Sequence, residues 1–153
     1  MVRVLFVCLG NICRSPMAEG VFAHKVKLAG LDREISTDSA GTGAWHVGEQ
    51  PHHGTRRTLA QKQIAYQHRA RVLVASDLEK FDYVLTMDDD NLASVLQIGR
   101  GKAHVAPFLS YAPHLALSEV PDPYFTGNFE ETYRLVDAAS DGLLAVIRKD
   151  RGI

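Results

Sequence analysis

A chain of 153 residues with 46% apolar content is long enough to enclose one hydrophobic core, and no low-complexity linker divides it, so residues 1–153 read as a single domain. Seventeen Lys and Arg against 18 Asp and Glu leave a net charge of −1, which excludes a global pull toward nucleic acid or anionic membrane. The apolar run Val4–Val7 is far too short for a leader or a spanning helix, and two cysteines five residues apart without a secretory signal point to a reducing, cytoplasmic setting rather than a disulfide scaffold.

The first predicted element is a buried strand, Val2 to Val7, that stops at Cys8 and runs into the loop Leu9-Gly10-Asn11-Ile12-Cys13-Arg14. Ser15-Pro16 reads as a helix N-cap followed by proline at the first helical position. The helix, Met17 to Ala29, repeats apolar residues at Ala18, Phe22 and Val26 and ends at Gly30. A short β-type run, Glu34 to Ser39, leads into the turn-rich stretch Ala40 to Gly48, which has the character of a rim loop. Gly41 and Gly43 do not begin a dinucleotide fingerprint, because His46 stands where the third glycine would fall.

His53 to Gln63 is predicted as a polar helix with a weak start at Gly54-Thr55. Asp82 to Met87 is the clearest later strand, followed by Asp88-Asp-Asp-Asn91 opening a helix through Ile98. These acidic residues suit a helix N-terminus and lack the spacing of a calcium loop. Ala103 to Pro107 is the last strand. Beyond a proline-punctuated segment, Phe129, Thr132, Tyr133, Val136, Ser140, Leu143, Leu144 and Ile147 form the apolar stripe of a long helix, acidic at its start and basic at its end. Strands alternating with helices predict an α/β fold, a three-layer domain whose four-stranded parallel sheet is covered on both faces. In such sheets ligands bind beyond the carboxyl ends of the strands, where Cys8 lies.

The chemistry concentrates in Cys8-x5-Arg14-Ser15. A loop of backbone N–H groups closing on a helix N-terminus is an oxyanion site, and the same donors favour a thiolate. The Arg14 guanidinium can hold two oxygens of a tetrahedral phosphate at once, which lysine cannot do with that geometry.

Cys8-Leu-Gly-Asn-Ile-Cys-Arg14-Ser15-Pro16 resembles the signature of the low-molecular-weight protein tyrosine phosphatases. The likeness runs through Ser39-Ala40-Gly41, Trp45, His68, Thr86-Met87-Asp88 and Asp122-Pro123-Tyr124. It implies strand order 2-1-3-4 and hydrolysis of phosphotyrosine through a phosphocysteine, without metal or cofactor. Cys8 is then the nucleophile, and Arg14 with the N–H groups of Leu9, Gly10, Asn11, Ile12, Cys13 and Arg14 binds the phosphate. Ser15 donates its hydroxyl to the sulfur. Asp122, between Pro121 and Pro123, is the general acid, its carboxyl group presented by a restricted loop; Asp88, Asp89 and Asp90 are read as helix-start residues. Trp45 and Tyr124, with Phe125, wall an aryl slot, and Asn11, Ser39 and His68 support the loop.

Related enzymes on this fold remove phosphate from arginine or reduce arsenate. The reductases use further downstream cysteines, and none follows Cys13; the arginine phosphatases carry threonine where Ile12 stands. A phosphate-binding module without turnover would lack Cys8, Arg14 or the acid. His46, His52 and His53 have no neighbouring cysteine or His-Glu-x-x-His spacing, so no metal site is expected. Expected partners are phosphotyrosine proteins or small aryl phosphates, with inorganic phosphate as product. No nucleic acid or membrane is expected, and a monomer is the working expectation. Cys13 is expected to protect an oxidised Cys8 by forming a disulfide.

Overall fold

The computed structural model describes residues 1–153. Strand β1 (Val2–Cys8) is buried throughout except at Arg3. Its side chains divide by parity between two cores. Val2, Val4, Phe6 and Cys8 enter the larger one, and Leu5 and Val7 the smaller one on the opposite face. A strand covered on both faces must be apolar at both parities, which is why this segment reads as a continuous run rather than an alternation.

The remaining strands are β2 (Ile35–Gly41), β3 (Tyr83–Thr86) and β4 (His104–Pro107). They pair in the order β2-β1-β3-β4, and every pair is parallel. This is the predicted α/β architecture and the order the resemblance implied. The order reverses between β1 and β3, so the carboxyl end of β1 at Cys8 opens on the crevice at that switch point.

Helix α1 (Arg14–Leu28) follows the first loop. It begins at Arg14 rather than Met17, which corrects the predicted start: Cys13 is the N-cap, and Ser15 and Pro16 lie inside the first turn. Proline is tolerated there because the first helical N–H groups have no intrahelical acceptor in any case. Relieved of a capping role, the Ser15 hydroxyl turns to Cys8.

Helix α2 (His53–Gln61) stops two residues short of the prediction, because Gln63 adopts a left-handed conformation with φ 60°. A single-turn helix α3 (Asp77–Lys80) precedes β3, and α4 (Asp89–Ile98) precedes β4. Asp88 caps α4 with a reciprocal capping box to Asn91, as the acidic run suggested. A short helix α5 (Pro123–Thr126) and the long α6 (Phe129–Arg151) complete the chain. Helix α6 lays Leu135, Val136, Ala139, Leu143 and Ile147 against Met17, Val21 and Phe22 of α1 and the β1 side chains. Truncating any one of these large aliphatic residues to alanine removes about 2–5 kcal/mol. Leu78 and Val95, from α3 and α4, cover the other face. No helix is long and apolar enough to cross a membrane.

Candidate active site

The loop from Cys8 to Ser15 curls around its own donors. The Asn11 N–H points at Cys8 Sγ (3.3 Å), and the N–H groups of Leu9, Gly10, Ile12, Cys13, Arg14 and Ser15 make no hydrogen bond within the protein. Unpaired backbone donors are rare in a folded chain, and a cluster of them converging on one loop and a helix start forms a concave anion site. Its outer carbonyls are tied down by the rim: Thr42 N–H donates to Cys8 O (2.9 Å), Gly43 N–H to Leu9 O (2.9 Å), His52 N–H to Ile12 O (2.7 Å), and Thr55 Oγ1 to Cys13 O (3.0 Å). The loop is thus held from outside with its donors facing in.

Asn11 holds it from behind, in the left-handed region at φ 57°, a conformation that asparagine tolerates better than most residues. Its Nδ2 donates to Ser15 Oγ (2.8 Å) and Ser39 Oγ (3.0 Å), and its Oδ1 accepts from the Arg71 N–H (3.1 Å) and lies 2.9 Å from His68 Nε2. The Arg71 N–H can only donate, so the amide oxygen must face it, and His68 Nε2 must then carry a proton. The same logic orients Ser15. Its oxygen accepts from Asn11, leaving its single proton for Cys8 Sγ, 3.0 Å away. Two donors therefore converge on the sulfur. The network continues outward, with Tyr66 donating to Glu19 (2.5 Å), Thr37 to Glu19 (3.0 Å), and His68 Nδ1 facing Glu19 and Asp38 at 3.9 and 3.8 Å.

Arg14 is almost fully buried, its guanidinium braced by Asp88 Oδ2 (2.6 Å) and Val120 O (3.1 Å) and facing Asp122 Oδ2 at 3.4 Å. Burial alone would lower its pKa. The Cys8, Asp88 and Asp122 charges outweigh that, and the pKa stands above the ordinary arginine value. The group is a permanent cation at the base of the site.

Asp122 is less free than the sequence suggested. Its Oδ1 accepts from the Tyr124 N–H (3.1 Å) and so caps α5, while Oδ2 faces Arg14. It still borders the same pocket as Cys8. That pocket encloses about 210 Å³ and is lined by Leu9, Ile12, Trp45, His46, Tyr124 and Phe125 around Cys8, Cys13, Arg14 and Asp122. Trp45 lies so close over Gly43 that a Cβ there would fall 1.9 Å from its ring, so glycine at 43 is what lets the indole reach the pocket. Cys13 is buried beside Ile12 and Ala70, and burial, then the nearby Cys8 and Asp122 charges, push its thiol up to about 12.

The structure therefore brings Cys8, Leu9, Gly10, Ile12, Cys13, Arg14, Asp122, Trp45 and Tyr124 to one pocket, and places Asn11, Ser15, Ser39 and His68 in one network behind it. It also shows residues that sequence reasoning missed. Asp88 is more than the helix-start residue its spacing suggests: one oxygen caps α4 and the other braces Arg14. The signal was available, since a capping carboxylate uses one oxygen and leaves the other free. Tyr66, Glu19 and Arg71 gave no signal, being polar residues of ordinary spacing.

Residues 3–152 match the family model described as low molecular weight phosphotyrosine protein phosphatase. The chain belongs to that family. It is 44% identical over 154 residues to the Bacillus subtilis low molecular weight protein-tyrosine-phosphatase YfkJ, covering 99% of both chains. The crystal structure of YfkJ superposes with a TM-score of 0.95, over 98% of this chain and 96% of that one. A low molecular weight phosphotyrosine protein phosphatase from Schizosaccharomyces pombe is 44% identical over 151 residues, spanning 95% of this chain and 97% of the relative. The family's fold also includes a Drosophila arginine phosphatase, 31% identical, with a TM-score of 0.90 over 95% of this chain and 97% of that one. This low-molecular-weight phosphatase is accordingly an enzyme of the phosphatase class, and its pocket is the place where phosphate chemistry is to be sought.

Proposed function

We propose that the protein hydrolyses phosphotyrosine and related aryl phosphate monoesters through a phosphocysteine on Cys8. The observation that carries this reading is the set of inward N–H donors from Leu9 to Ser15 closing on a sulfur that already receives two donors. The phosphate's equatorial oxygens would take those N–H groups and Arg14, which is how phosphoryl transfer is helped, by position and charge. The Cys8 thiolate attacks phosphorus, the bond to the phenol oxygen breaks, and Asp122 delivers the proton that the leaving phenolate needs. Asp122, now a carboxylate, takes a proton from water as the water attacks phosphorus. The S–P bond breaks, and Ser15 helps the sulfur depart as thiolate. The balance is ester plus water to phenol plus inorganic phosphate, with no metal in either step.

Arginine phosphatase activity is the second reading, favoured by the Drosophila neighbour. Against it stands Ile12, a branched apolar side chain lining the pocket at the loop, which crowds a guanidinium and suits a flat ring between Trp45 and Tyr124. The test compares phosphotyrosine and phosphoarginine peptides in excess chelator. Phosphotyrosine should give the higher kcat/KM by at least the ~10–200-fold that a misfit of one group costs in a shaped pocket. Ile12→Thr should narrow that ratio, and a wild-type preference for phosphoarginine would reverse the assignment.

The paired cysteines support a redox role for the same site. Peroxide should convert Cys8 to its sulfenic acid, and Cys13 should close on it with loss of water to give a disulfide. Because burial keeps Cys13 protonated to about pH 12, closure should be slow near neutrality and accelerate as pH rises. Thiol reductants should restore wild-type activity, and Cys13→Ser should recover less. Equal recovery would leave Cys13 with a packing role alone. Both thiols are free, as this closure requires.

A further inference from the structure

Of the three histidines near the pocket mouth, His52 is the one the structure builds in. Its backbone N–H donates to Ile12 O at 2.7 Å, which pins the phosphate loop at the residue that faces the slot. Its ring nitrogen Nδ1 accepts from the Gly54 N–H (3.0 Å) and so caps α2, the helix whose Thr55 hydroxyl holds Cys13 O. A ring nitrogen that accepts a hydrogen bond carries no proton, so this imidazole is neutral, with its proton on Nε2. The ring stacks between His53 (centroids 4.3 Å apart) and Phe129 (5.0 Å), and meets Tyr124 edge-on at 6.0 Å. Phe129 in turn lies so close to Gly54 that a Cβ there would fall 2.4 Å from its ring. One residue thus touches the loop backbone by its main chain, and the helix and the aromatic wall by its ring.

Resting on the aryl-phosphatase reading above, we propose that His52, as a neutral imidazole, is a positioning residue that sets the Tyr124 wall of the aryl slot against the phosphate loop. It touches neither the reacting atoms nor the phosphate. Its effect falls on how tightly the ring of the substrate is gripped, not on the chemical step. A proton added at Nδ1 would turn that nitrogen from acceptor to donor against the Gly54 N–H, remove the cap of α2, and release the wall.

The surroundings set the direction of that titration. Burial, then the charges of His53 and Arg56 on α2 itself, hold the His52 pKa below the ordinary histidine value. From the rim, His46 is paired with Glu49 at 2.9 Å, and Arg69 lines the same cleft. From α5 comes Tyr124. From α6 comes Phe129, the neighbouring Glu130 being bonded to Lys62 at 2.8 Å. The free cations, Arg56 and Arg69, oppose a second positive charge here, so the neutral form dominates near neutrality and is lost only as pH falls through the depressed pKa.

His52→Asn tests the proposal, because asparagine restores an N-cap oxygen while removing the ring. Near neutral pH the variant should raise KM for a phosphotyrosine peptide about two- to tenfold, the weight of one aromatic contact, with kcat within about twofold. Competitive inhibition by inorganic phosphate, which needs the loop but not the slot, should be unchanged and shows that the variant is folded. As pH falls, the ratio of variant to wild-type KM should shrink toward one, because protonation loosens the wild-type slot by itself. A ratio of one at every pH overturns the inference. So does a raised ratio that stays flat with pH, since a merely structural ring would move KM by the same factor throughout. Loss of the underlying reading looks different, with wild type binding phosphate yet failing to turn over phosphotyrosine, and that result overturns both.

Discussion

Replacing Cys8 with serine should lower phosphotyrosine turnover by on the order of 10⁵ or more, the scale seen when a nucleophile is removed from an otherwise intact site. A serine hydroxyl near neutral pH is protonated and has no base within the loop to activate it. The same variant should still bind inorganic phosphate, because the donors from Leu9 to Ser15 and the guanidinium of Arg14 are untouched. Arg14→Lys should behave differently. Losing one arm of a two-oxygen clamp costs about 10²–10³ in kcat, and it leaves Asp88 and Asp122 facing a shorter, mobile cation, so phosphate affinity should fall as well. Equilibrium binding of inorganic phosphate, together with steady-state turnover, separates the two. Appreciable turnover by Cys8→Ser would remove the thiolate from the mechanism.

For Asp122→Ala the expected loss in kcat/KM, which reports the step that expels the phenol, is about 10²–10⁴, the usual contribution of a positioned general acid, and its size should depend on the leaving group. A phenol as acidic as nitrophenol departs without a proton and should hide most of the defect in the first step, whereas tyrosine should show it in full. Asp122 also caps α5 and faces Arg14, so the alanine variant loses a cap worth about 1 kcal/mol as well. Asp122→Asn keeps the capping oxygen and removes only the acid. If both variants lose activity equally and with the same leaving-group dependence, proton transfer is the cause. A loss in kcat/KM that is equal for every leaving group would take Asp122 out of the acid role.

How much of this was legible in the sequence depends on how local each signal is. The β1 run and the Cys8-x5-Arg14 loop could be read because strand and loop are adjacent in the chain and each has a strong composition. The stripe of α6 could be read because 23 residues give the helical period room to show. The start of α1 was misplaced because Ser15-Pro16 carries the local chemistry of a cap, and only the tertiary demand of Cys8 for a donor turns that hydroxyl inward. Helices α3 and α5, four residues each, are too short for any periodicity. The support of Asn11 by Arg71 and His68 spans 60 and 57 residues of chain, a relation no spacing rule contains. The order β2-β1-β3-β4 likewise came from resemblance rather than from the pattern of apolar residues, which says that strands are buried but not beside which neighbour.

Passage of phosphate through the sulfur of Cys8 is tested most directly by rapid-quench analysis of Asp122→Ala turning over nitrophenyl phosphate. That substrate supplies a leaving group that needs no acid, while the missing carboxylate slows attack by water, so the intermediate should accumulate. A burst of nitrophenol approaching one per enzyme is expected, with mass spectrometry placing one phosphate on the peptide that carries Cys8. Linear release from the first turnover with no phosphate on the protein, or phosphate found on any other residue, would contradict it.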